Sequence, residues 1–355
     1  MAGLSLGTLS MVLLAATTVC VTSGCSALGY YAQSIGGHLA IVRTARPVPD
    51  WLADEQTPAV LKERLALSQR IRDYAVRELK LPDNASYRRY ADLQRGAAVW
   101  NVVAAPELSL KLRTWCFPVV GCVGYRGYYA RADADAFAAA LRTEGMEVSV
   151  YGVPAYSTLG LLPGAAFADP LLSTFIDYPQ GELARLIFHE LAHQIAFAKG
   201  DTVFNESFAT AVERIGSARW LADFGDASHR DEQARIEARR SDFRDLTARY
   251  RAEFEALYAS TASDATKRAA KQALLTRLRA DHAILKRERW GGYSGYDGWF
   301  ARANNAAFGV LAAYHELVPN FERLFEREDR DFTRFHAEVK RLAALPEHER
   351  RAALR

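Results

Sequence analysis

Several features that would mark a particular class of protein are scarce in this chain of 355 residues. Charge of one sign is missing: 45 basic against 42 acidic side chains leave a net charge of +3, without the concentrated basic surface that a nucleic-acid partner needs. No segment repeats and no long low-complexity linker occurs, which excludes a solenoid or a tethered array. Methionine is confined to Met1, Met11 and Met146, and cysteine to Cys20, Cys25, Cys116 and Cys122. Four thiols, two of them close to the N-terminus, are too few for a sulfur-based metal site. Half of the residues are apolar, enough for a sizeable core.

Charge is also absent from Met1 to Gly24, where an apolar run, Met11 to Ala16, precedes Ser, Thr and Gly. This is the pattern of a secretory signal, too short and too rich in hydroxyls to span a membrane. Small residues up to Gly24, then Cys25 and Ser26, resemble the site at which a bacterial lipoprotein is cleaved and acylated on its new N-terminal cysteine. Thr22 stands where leucine is usual and no Lys or Arg leads the segment, so a plain cleaved signal or an uncleaved anchor is the alternative. Each version places the rest of the chain in the cell envelope, outside the cytoplasm. Lipid anchoring through Cys25, facing the periplasm and with Ser26 favouring the outer membrane, is the expectation. In that oxidising compartment Cys116 and Cys122 are expected to form a short-loop disulfide.

The pattern after the signal predicts an α+β fold, one domain after Cys25 with an α/β part over residues 50–175 and a helical part over 176–355. Tyr30 to Arg46 reads as a juxtamembrane helix and Leu61 to Leu79 as an amphipathic one. Val99 to Val103 and Glu147 to Val153 read as strands, with a hairpin around the cysteine pair and a helix over Asp133 to Thr143. From Pro179 nearly everything reads as helix. The first is expected to run to about Gly200, a second to start near Asn205, and long charged helices to cover Asp231 to Tyr258 and Ala265 to Arg289.

Chemistry concentrates in His189-Glu-Leu-Ala-His193. Four-residue spacing stacks two imidazoles on one helix face, where both can reach one zinc ion. Glu190, about 100° further round the helix, stays off the metal but can take a proton from a water beside it. A third histidine six residues on is one way to complete such a site. That position is Lys199, Ala196 replaces the expected glycine, and no methionine follows to make a methionine turn. A glutamate on the next helix in an Asn-Glu setting is the other way, and Asn205-Glu-Ser-Phe-Ala-Thr210 provides it. Glu206 is therefore the favoured third ligand, Glu213 the alternative, and Thr210 a candidate to hydrogen-bond a ligand histidine. Tyr296, in a Gly/Tyr-rich loop, is a candidate to stabilise an oxyanion. Tyr156 and Ser157, in Val153 to Gly160, are candidates for an edge that pairs with extended substrate. His229, His282, His315, His336 and His348 read as surface or packing residues.

Five blocks resemble the bacterial "predicted aminopeptidase" lipoproteins: Trp115 to Tyr128, Ala155 to Gly160, Asp169 to Phe175, His189 to His193 and Asn205 to Thr210. The resemblance implies a zinc-dependent peptidase of the gluzincin type, with one zinc ion and a peptide or protein substrate. It departs at Leu162 to Ala168, which reads as an insertion. No exopeptidase motif was found, so exo- and endopeptidase action both stay open, beside a binding lipoprotein with a structural metal.

Overall fold

The computed structural model describes residues 29–117, 121–156, 168–311 and 316–355. It is α+β, with small sheets in the first half and helices throughout the second. Helix α1 covers 29–44. Strand β1 (Arg46–Pro47), helices α2 (Val48–Ala53) and α3 (Ala59–Arg77) and strand β2 (Arg89–Ala91) follow. Next come β3 (Val99–Pro106), β4 (Trp115–Phe117), β5 (Gly121–Val123), β6 (Arg126–Tyr128), helix α4 (Arg131–Thr143), β7 (Met146–Val153) and β8 (Leu171–Leu172).

Alternation along β3 and β7 makes the main sheet, in the antiparallel order β6-β3-β7, with Asn101 opposite Tyr151 on one side and Gly127 on the other. Helix α4 covers one face through Ala134, Ala138 and Leu141 against Val102, Ala104 and Val148. The β4-β5 hairpin sets Cys116 opposite Cys122, joined by a disulfide as the composition predicted. Strands β1, β2 and β8 form a third small sheet.

The helical half comprises α5 (Gln180–Ala192), α6 (Thr202–Phe224), α7 (Ala227–Ala259), α8 (Asp264–Glu288), α9 (Asp297–Ala301), α10 (Asn305–Leu311), α11 (Val318–Arg327), α12 (Phe332–Ala343) and α13 (Glu347–Leu354). One core runs from Ile41 to Leu354 and wraps α5 and α6 between α3 on one side and α11 and α12 on the other. Close approach there requires Gly216: a Cβ on it would meet Leu79 at 2.6 Å and Phe188 at 2.9 Å. A second core, built on Phe243, Tyr250, Phe254, Leu278 and Phe300, ties α7 to α8 and α9. No helix among the described residues is long and apolar enough to cross a membrane.

Two expectations are corrected. Helix α5 stops at Ala192 with His193 as its C-cap, rather than at Gly200. The following residues tighten into turns closed by Gln194 N–H to Leu191 O and Ile195 N–H to Ala192 O. Helix α6 starts at Thr202 rather than Asn205, because Asp201 caps it by accepting from Phe204 N–H at 2.9 Å. Residues 1–28, with Cys25, lie outside the described residues, as do 118–120, Ser157 with the rest of 157–167, and His315.

His336 is buried on α12 among Phe208, Phe332 and Phe335. Burial, helped by Lys340 and opposed by Asp331, lowers its pKa from 6.5 to about 4. A depressed histidine resists protonation in the folded state while the unfolded chain accepts the proton below pH 6.5. Its contribution is therefore complete above pH 6.5 and lost as pH falls towards 4. Between pH 7 and pH 5 this costs about 2 kcal/mol. Urea unfolding should show a shallower loss of stability over that interval in His336→Leu than in wild type. Parallel pH dependences would remove His336 as the cause.

Candidate metal centre

Helices α5 and α6 pack antiparallel because only eight residues separate His193 from Thr202. Gly200, at φ +79°, makes the turn. Asn205 clasps it from inside α6, accepting from Ala198 N–H at 2.7 Å and donating to Ala198 O at 2.9 Å. From outside, Gly121 of the disulfide hairpin presses on it, since a Cβ there would lie 2.9 Å from the Gly200 nitrogen. Asp201 forms ion pairs with Arg350 at 3.3 Å and Arg351 at 3.1 Å, which attach the C-terminal helix to the same turn.

This folding-back places Glu206 over the two histidines. His189 Nε2 and His193 Nε2 are 3.2 Å apart, and Glu206 Oε2 lies 3.3 Å from the first and 3.7 Å from the second. Nitrogen and oxygen donors about 2.05 Å from a tetrahedral metal would be separated by about 3.3 Å. The three side chains thus form a group that could hold a metal ion, in the residues that the sequence singled out.

The orientation of His189 is set by Glu213. Its Nδ1 lies 2.9 Å from Glu213 Oε2, so the nitrogen facing the cluster is left as an acceptor when Nδ1 carries the proton. Glu213 cannot reach the cluster from behind the ring. In this arrangement Glu206, not Glu213, joins the two histidines, and Glu213 occupies at His189 the place expected for Thr210. Thr210 is buried and lines a cavity beside the site. Arg185 holds Glu213 in turn and also pairs with Glu237.

The electrostatics follow from this enclosure. Burial pushes the Glu213 carboxyl up, but Arg185 and His189 outweigh it and bring the pKa down to about 2. Burial likewise opposes charge on His189, yet its bonds to Glu206 and Glu213 raise it well above its usual value. Burial dominates at His193, lowered to about 4. For Glu206 the two histidines overcome burial and lower it. Glu190 is the exception: burial, with help from the Glu206, Asp169 and Glu213 carboxylates and against His189, raises it to about 7. Such a cluster of acceptors and mutually perturbed carboxylates suits a cation better than a network of protons.

The centre opens into a cleft of about 550 Å³. Glu190 faces it with Tyr156, and β7, an edge of its sheet, delivers Val153 to Tyr156 into the wall. The Tyr156 hydroxyl meets His38 Nδ1 of α1 at 2.9 Å. Tyr125, which the sequence did not single out, is also in this cleft. Burial and the charges of Glu206 and Glu190 keep its hydroxyl protonated far above the usual range. Tyr296 sits instead in the adjoining cavity, stacked on Phe243 with centroids 4.5 Å apart, where His189 and Glu190 also reach the wall. His282 packs on Phe300, and His229 and His348 are on the surface. Sequence reasoning missed Arg185, the position of Glu213 behind His189, and Tyr125. The first two were within reach, because Arg185 is one turn before His189 and Glu213 two turns after Glu206. Tyr125 joins only through the sheet.

The α+β fold thus carries a cleft with a candidate metal centre at its floor. Residues 29–354, from α1 to α13, match the family model described as "Putative aminopeptidase", and the chain belongs to that family. Comparison with curated proteins and with solved structures gave no match.

The division between Glu206 and Glu213 is open to measurement. Glu206→Ala should lose stoichiometric metal on elemental analysis, whereas Glu213→Gln should retain it with affinity roughly 10–100-fold weaker by chelator competition. Full metal retention in Glu206→Ala, with loss in Glu213→Gln, would reverse the assignment.

Proposed function

We propose that the protein is a zinc-dependent peptidase of the gluzincin type, acting as an aminopeptidase in the bacterial cell envelope. The observation that carries this reading is the convergence of two imidazole nitrogens and one carboxylate oxygen within bonding range of a common point, with the half-buried Glu190 beside them on the wall of a cleft. Three protein ligands leave a coordination position for water or substrate, the mark of a catalytic rather than a structural zinc site. The His-Glu-x-x-His sequence and membership of the aminopeptidase family support the same reaction class.

In this reading His189, His193 and Glu206 hold zinc, and Glu213, by fixing the tautomer of His189, keeps its Nε2 lone pair directed at the ion. When bound, zinc supplies a Lewis acid that polarises the scissile carbonyl and makes water acidic near neutral pH. Glu190 accepts the proton from the attacking water on its carboxylate and later releases it to the leaving amine. Tyr125, a neutral hydroxyl beside Glu206 and Glu190, is placed to donate to the carbonyl oxygen as charge develops there; Tyr296 is the alternative from the other cavity. An extended substrate would lie along the edge of β7 near Tyr156, with main-chain hydrogen bonds fixing its register. Lipid attachment at Cys25 would hold the body on the periplasmic side of the membrane, most simply the outer one.

A mixed peptide library incubated with the zinc-loaded protein and analysed by mass spectrometry tests the reaction. Cleavage should fall by roughly 10²–10⁴-fold in Glu190→Gln while metal content is unchanged. Loss of single N-terminal residues supports the aminopeptidase, and internal cuts would make it an endopeptidase. Intact peptides throughout would favour a binding lipoprotein.

A further inference from the structure

The groove over α5 continues past the metal centre. Glu182, Arg185, Leu186, His189, Glu190 and His193 stand at i, i+3, i+4, i+7, i+8 and i+11 and so form one stripe of the helix. Leu186, His189 and Glu190 line both the cleft and a second cavity of about 400 Å³, so the two are successive stretches of one groove along that stripe. From Glu190 back to Glu182 the helix rises about 12 Å, the length of roughly three or four extended peptide residues.

Three arginines line this second stretch, and they differ in what they touch. Arg185 is paired with Glu213 and Glu237, and Arg240 with Glu182 and Glu237. Arg244 is half-buried, one turn beyond Arg240 on α7, and among the described residues it makes no side-chain hydrogen bond and no ion pair. Burial and the like charges of Arg214, Arg240 and Arg185 weigh against its own charge, with Asp245 in the opposite sense. The side chain is only half-buried and its five N–H donors reach the solvent of the groove, so they are free to take an acceptor there. Its planar fork matches a carboxylate in two parallel hydrogen bonds.

We propose that Arg244 binds a carboxylate on the leaving fragment of the substrate, which makes the preferred substrates peptides with an anion within about three residues of the scissile bond. The proposal rests on the peptidase reading above. If the free amine lies on the acyl side, the remaining charged end of a short peptide falls on the leaving side, towards Arg244. The carboxylate is either the free C-terminus of such a peptide or an acidic side chain of a longer one.

Hydrolysis of a tripeptide by the full chain, compared with that of its C-terminal amide, tests this. Wild type should favour the free acid roughly 10–100-fold in kcat/KM, mainly through KM, the range expected for a hydrogen bond to a charged group. Arg244→Gln should bring that ratio close to one, and Arg244→Lys should restore part of it. A second pair of amidated peptides, with Glu or Gln on the leaving fragment, separates the two sources: a Glu preference lost in Arg244→Gln assigns the carboxylate to a side chain. Equal use of both pairs by wild type overturns the proposal, as does a preference that survives in a folded Arg244→Gln protein. Calorimetric binding of the acid and amide to Glu190→Gln reads the same contact without turnover. Selective binding that needs Arg244, from a protein that cleaves nothing, would keep the carboxylate site and remove the peptidase reading. Unselective binding would remove the site.

Discussion

Everything at this centre depends on the bond between Glu213 and His189. Helices α5 and α6 bury three carboxyl groups and two imidazoles between them, a combination that would be strongly unfavourable without partners. Arg185 neutralises Glu213, Glu213 is placed to accept from His189 Nδ1–H, and the opposite nitrogen faces His193 and Glu206. The chain of contacts converts an interior penalty into a directed set of lone pairs. A buried ion pair contributes little net stability, but it can specify one arrangement among several.

The directed lone pairs are useful only if the two helices keep their register to within a fraction of an ångström. That register is enforced at one short turn, from three sides. Asn205 bonds the turn to the first residues of α6, the hairpin presses Gly121 on Gly200, and Asp201 draws in Arg350 and Arg351 from the last helix. The disulfide between Cys116 and Cys122 lies in the element that makes the second of these contacts. Gly216 lets α6 close on Phe188 at the far end, so the pair is clamped along its length.

Residues that act through helical periodicity were legible without a structure. His189, His193 and Glu190 needed only the four-residue spacing, and Glu206 only the next helix. The long charged helices α7 and α8 and the strands β3 and β7 followed from pattern in the same way. The misplaced end of α5 had a physical reason: Ile195, Ala196 and Ala198 extend the apolar pattern, but they pack on the core from a turn and irregular backbone rather than from a further helical turn. Choosing Thr210 over Glu213 was a matter of which α6 side chain meets the back of one ring, set by packing between residues 24 positions apart. Tyr125 was invisible because its neighbours Glu190 and Glu206 belong to another layer of the fold.

Helix α1 shows why position in the chain is a poor guide to role. Lying next to the proposed lipid site, it reads as a spacer between membrane and enzyme, and a spacer should leave its polar side chains in water. Instead Gln33 donates to Gly127 O and accepts from Tyr129 N–H, the Tyr30 hydroxyl accepts from Gly127 N–H, and His38 meets Tyr156. Tyr30 and Ser34 line the cleft itself, and the family match begins where this helix begins. These bonds run to β6 and to the end of β7, the two edges of the sheet that walls the site. The helix is therefore part of the wall of the cleft, and its polar residues tie it to both edges of the sheet that lines the site.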